Sequence, residues 1–172
     1  MIAPLMLAFA AAAAAAQSPT ASPAQKCAGM PPALSPELAA WTSKTKATAA
    51  IGPEGLGAAR ISIGKAIDAR LSAGTKVHLR DNAARAAEVG DNAGMFAFSV
   101  DRAGTYRVAL GSGGWVDVLE NGKAVKSSAH GHGALCSGIV KMIDFPLKAG
   151  EHILQVEGSR EATVGLLIAR LP

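Results

Sequence analysis

From Leu56 to the end of the chain, apolar residues recur with a period of two, in short runs cut off by glycine or by Ser, Thr and Asn turns. That period belongs to strands with one buried face, and it leaves no stretch for a long amphipathic helix. Ile61 and Ile63 flank Ser62, Val77 and Leu79 flank His78, and Ile67, Ala69 and Leu71 alternate with Asp68 and Arg70. Further strands are expected at Met95–Val100, Thr105–Leu110, Trp115–Glu120, Lys123–Ser128 and Ile139–Phe145, the last stopped by Pro146. His152, Leu154 and Val156 alternate again, and Thr163–Leu171 is apolar on both faces, as befits a strand central to two packed layers. Asn121-Gly122 marks a two-residue type I′ hairpin, because both positions must take positive φ. Asp81–Gly94 reads as a loop or a short helix. About nine short strands separated by glycine-rich turns make the expected fold all-β, a sandwich or a barrel.

The segment before the strands is organised differently. Met1–Ala16 is an unbroken apolar run followed by Gln17-Ser18-Pro19, the pattern of a secretory signal cut after Ala16. A periplasmic or secreted protein without stable membrane insertion is therefore expected, since the run is short for a bilayer-spanning helix. Residues 17–34, rich in Ala, Ser and Pro, read as an extended linker, and residues 35–172 as the folded domain. Ser35-Pro36-Glu37 is a helix start, and Leu38 and Trp41 fall on one face of the one or two turns that follow, as in a strap laid over a sheet. The net charge of +4 is scattered, with no basic run and no interleaved aromatics, so nucleic-acid binding has no support. The two cysteines, Cys27 and Cys136, permit one disulfide in an oxidising compartment; the other possibility is a free Cys136 thiolate.

Two places carry candidate chemistry. His130-Gly131-His132 lies in a loop, Ala129–Ser137, and its two imidazoles can share a divalent metal ion with the Cys136 thiolate, with His152 or His78 as a further donor. The same histidines can instead contact a ligand directly, or belong to a polar loop that needs glycine. Trp115 and Asp117 share one face of a strand, opposite Val116 and Val118. Facing solvent they form an aromatic platform beside a carboxylate, suited to a sugar ring; facing inward, Trp115 is core. Tyr106, in phase with Val108 and Leu110, is expected in the core, and His152 is expected to be a hydrogen-bonded histidine at a strand end. No Ser-His-Asp or paired-carboxylate spacing stands out, and neither Gly-rich stretch lies between a strand and a helix as a phosphate loop must.

The order of motifs in roughly the C-terminal half, Ala103-Gly104-Thr105-Tyr106, the Glu120-Asn121-Gly122-Lys123 tip and Leu147-Lys148-Ala149-Gly150-Glu151-His152, resembles the jelly rolls of carbohydrate-binding modules and of the domain named after anthrax protective antigen. That resemblance implies an antiparallel β-sandwich of jelly-roll type; the candidate ligand is a glycan or small polar molecule, and its candidate contacts are the residues singled out above, Trp115, Asp117, His130 and His132. The whole chain also resembles small secreted alphaproteobacterial proteins that carry the label homogentisate dioxygenase, which implies a metal-dependent oxygenase using His130 and His132. A cupin iron motif would place a carboxylate where Cys136 and Ser137 stand and a glycine at Ala124, so the residues depart from that enzyme's pattern. Non-catalytic binding is the expectation, with a metal protein and a structural or interaction protein of the cell envelope as alternatives.

Overall fold

The computed structural model describes Cys27, residues 34–80 and residues 91–172. The expected signal segment, nearly all of the linker and residues 81–90 of the polar stretch lie outside the described residues. Among the described residues, eleven strands form two sheets. One holds β1 (Thr45–Thr48), β2 (Ile67–Arg70), β5 (Gly104–Leu110), β8 (Ala129–Gly131), β9 (Lys141–Leu147) and β11 (Thr163–Arg170), in the spatial order β1-β2-β11-β5-β9-β8. The other holds β3 (Ser72–Ala73), β4 (Asn92–Val100), β6 (Trp115–Glu120), β7 (Lys123–Ala124) and β10 (Gly150–Ser159), in the order β3-β4-β10-β6-β7. All neighbours run antiparallel except β1 and β2. The inner sets β2-β11-β5-β9 and β4-β10-β6-β7 carry the jelly-roll connectivity, the chain crossing between sheets at almost every step.

The period-two runs explain the core. Phe96, Phe98, Val108, Val118, Leu154, Leu166 and Ile168 point between the sheets and are fully buried. Tyr106 joins them, its hydroxyl donating to the Arg102 carbonyl at 2.7 Å. The alternate residues of β11, Leu167 and Ala169, face a second apolar layer with Ala109, Ile139, Leu38 and Trp41. The strap that supplies Leu38 and Trp41 is a 3₁₀ helix, Pro36–Thr42. Three residues per turn stack positions 38 and 41, so both are buried against the sheet. Ser35 does not cap it; its hydroxyl donates to Glu37 Oε1 at 2.6 Å instead. Gly165 in β11 makes room for the strap, since a Cβ there would sit 2.9 Å from both the Trp41 ring and Lys44 Cε. Arg107 on β5 forms a two-pronged pair with Asp144 on β9, at 2.7 and 2.8 Å, and comes within 3.7 Å of Glu37 on the strap.

Asn121 and Gly122 take φ of 51° and 78°, the expected type I′ turn between β6 and β7. Other boundaries differ from the sequence reading. Ile61–Ile63 and Val77–Leu79 are not strands: they follow the pattern because Ile61, Ile63 and Leu79 pack on the core, and beside the first segment there is an isolated bridge, Arg60 to Ala97. Pro146 does not stop β9. It pairs with Thr105, whose carbonyl faces Leu171, so the proline nitrogen points away from β5, beyond the end of β8 at Ala129↔Asp144. The expected strand Lys123–Ser128 is shortened to β7, and the chain pairs again as β8 within the predicted loop.

Candidate functional site

Beyond Asn121-Gly122, β7 lasts two residues and the chain swings across to the other sheet as β8. The register of β7 on β6 spans Leu119↔Ala124 and Glu120↔Lys123, and a pocket of about 340 Å³ opens where β6 faces β8 and β9. The floor is the edge of the core, Val116, Ile143 and Phe145. The walls are polar: Asp117 from β6, Lys126 and Ser127 from the crossing segment, His130 from β8 and Lys141 from β9, with Trp115 at the rim.

Trp115 is 53% exposed, and Val116 and Val118 take the inward positions, so the open question of which way this strand faces resolves with Trp115 outside the core. Lys141 Nζ lies 4.7 Å from the centre of the indole and donates to the Gly114 carbonyl at 3.2 Å. The ammonium thus joins the glycine-rich turn to β9 and holds the ring by a cation–π contact. Gly114 has no side chain for a steric reason, since a Cβ would lie 2.9 Å from the Glu157 carbonyl oxygen.

His130 pairs with Ile143, whose side chain faces the core, so the imidazole leans toward the pocket; its Nε2 lies 2.9 Å from the Ser127 hydroxyl. His132 is placed apart from these groups. Its Nδ1 is 2.8 Å from the Val140 carbonyl, which can only accept, so Nδ1 is the donor of that bond. Trp115, Asp117 and His130 therefore share one pocket, and His132 is not among its lining residues.

The metal-ligating possibility loses one donor. Cys27 and Cys136 are joined in a disulfide with Cα atoms 5.3 Å apart, as expected for the one available pairing. Closing a loop across 109 positions removes about 5 kcal/mol of unfolded-chain entropy in the simplest treatment. Among the described residues, no three His, Cys, Asp or Glu side chains are grouped to hold a metal ion. His152 is buried at the start of β10, stacked on Phe98 at 5.4 Å, with Nδ1 3.1 Å from the Gly150 carbonyl and Nε2 3.5 Å from Glu120 Oε1.

The loop after His132 is fixed at three adjacent points. Cys136, at φ 64°, carries the disulfide; the Ser137 carbonyl accepts from Trp41 Nε1 at 2.8 Å; and the Ser137 hydroxyl accepts from the Ile139 amide at 3.1 Å. Gly133 permits this path, since a Cβ there would lie 2.4 Å from Ile139 Cβ and 2.6 Å from its carbonyl oxygen. Lys141 and Lys126 were not legible as site residues. Lys141 reads only as the polar start of an apolar run, and Lys126 as one of the scattered cations.

Against known proteins, the chain matches no protein-family model and no curated protein.

Proposed function

We propose that this protein is an exported, non-catalytic binding module whose edge pocket takes an envelope glycan or another small polar molecule. The observation that carries this reading is the half-exposed Trp115 indole standing beside Asp117 and His130 over an apolar floor. A sugar ring presents an apolar face to an aromatic platform and hydroxyls to flanking carboxylate, imidazole and ammonium groups, and this pocket supplies all of these. The Cys27–Cys136 disulfide is compatible with export. The jelly-roll connectivity agrees with the carbohydrate-binding-module resemblance, although fold alone does not assign a ligand.

The test is a fluorescence titration of the mature protein with a panel of envelope-derived oligosaccharides, beside Trp115→Ala and Asp117→Asn. A saturable change in tryptophan emission, lost in Trp115→Ala and weakened about tenfold or more in Asp117→Asn, is the expected result. Absence of any saturable response would refute the reading. Metal analysis of the same untagged protein decides against the competing function. Near-stoichiometric metal that disappears in the His130→Ala/His132→Ala double variant would replace the binding module with a metal protein.

A further inference from the structure

We propose that a second cleft, at the end of the sandwich where β4 turns into β5, binds an oxyanion, either a phosphate group or the carboxylate of an acidic sugar. It encloses about 480 Å³ and is lined by three arginines from separate parts of the chain: Arg60, Arg102 and Arg170. Arg60 is engaged, with Nη2 2.8 Å from Glu151 Oε2 and 2.7 Å from the Ser99 hydroxyl. Arg102 and Arg170 differ. Among the described residues neither guanidinium has a hydrogen-bond or ion-pair partner, and the one acid in the lining, Asp101, has no such partner either. Among the described residues, two such cations and one such carboxylate leave the lining net positive once Arg60 and Glu151 are set against each other.

Arg170 is directed there by the sheet. Ile168, two residues earlier on β11, belongs to the inter-sheet core, so Arg170 projects from the same face, at the point where the sheets part. It is paired in register with Tyr106, which also lines the cleft. Its guanidinium lies across the backbone of Gly104, where a Cβ would be 3.3 Å from Nε and 3.5 Å from Nη2. The side chain is thus laid against the main chain. A planar fork of donors lining the same cleft as a second such fork suits a group with two or three anionic oxygens.

The experiment is calorimetric titration of the full chain with inorganic phosphate, D-glucuronate and neutral D-glucose at one fixed ionic strength. The variants are Arg102→Gln, Arg170→Gln, the double variant and Arg160→Gln. Arg160 lies in the β10–β11 turn, at the opposite end of β11 from Arg170, and supplies the same change in net charge. Saturable binding of phosphate or glucuronate but not glucose is expected, and the tighter of the two anions names the source. Each cleft variant should weaken binding about tenfold or more, and Arg160→Gln should leave it unchanged. Absence of saturable anion binding, or equal losses in the double variant and Arg160→Gln, would overturn the proposal. All the substituted arginines are exposed, so thermal unfolding of each variant should match the parent and keep the binding readout interpretable.

Discussion

Replacing Trp41 with phenylalanine removes one buried donor and a small part of a buried ring. The strap is held to the sheet through this side chain, which is 4% exposed and donates to the Ser137 carbonyl at 2.8 Å. Ser137 is itself buried, so its carbonyl would be left without that partner, at a cost of about 1–3 kcal/mol. The smaller ring also leaves a partial void against Leu38, Ile139 and Leu167, bringing the total to roughly 3 kcal/mol. For a domain of this size that corresponds to a fall of about 10 °C in Tm. Trp115→Phe is the internal control, because its ring is 53% exposed and its loss should cost at most about 0.5 kcal/mol. The chain has only these two tryptophans, so each variant is also a single-tryptophan reporter. Trp41 alone should emit at short wavelength and Trp115 alone near the water-exposed limit. Thermal unfolding followed by circular dichroism measures the difference in stability. If both variants melt within about 2 °C of the parent, the strap contributes nothing through Trp41 and the reasoning fails.

Three further outcomes are expected. Gly133→Ala should destabilise by about 1–3 kcal/mol in urea unfolding, because the added methyl meets Ile139 Cβ and its carbonyl oxygen, neither of which can swing away. Gly57→Ala, where a Cβ meets nothing within 4 Å, should be neutral or slightly stabilising in the same assay. Acid should weaken the fold through three glutamates whose pKa values lie below the ordinary range: Glu37 through the Ser35 hydroxyl, Glu120 through Lys148, and Glu151 through Ser99 and Arg60. A depressed carboxyl contributes fully above its unfolded value of about 4.3, and that contribution is lost as pH falls through the folded value. Stability measured from pH 6 downward should begin to drop near that point, and Glu37→Gln should make the drop shallower; an unchanged slope would show that Glu37 is not coupled to folding.

The strands that face the core were legible because burial imposes alternation on them. β4, β5, β6 and β11 lie close to where the pattern places them, and the two-faced apolar character of β11 reflects the inter-sheet core on one side and the strap on the other. β1 was invisible because Thr45–Thr48 is exposed or half-buried throughout and is held by parallel pairing with β2, which leaves no trace in side-chain pattern. Ile61 and Ile63 misled for the opposite reason: they have the alternation without the ladder. At the edge pocket, Trp115, Asp117 and His130 were identifiable from residue type and phase, but the pairing of β8 with β9 that brings His130 across was not. The arginine cleft was harder still, since Arg60, Arg102 and Arg170 are far apart in the chain and each alone looks like an ordinary surface cation.

The way both sheets terminate bears on how the protein behaves among its own copies. Their outermost strands have four, three, two and two residues (β1, β8, β3 and β7), whereas β4 and β10 in the interior reach nine and ten. A strand arriving from another molecule would find only one or two backbone hydrogen-bonding positions in line before each outermost strand ends. A fold rich in sheet is thereby protected from edge-to-edge growth into aggregates.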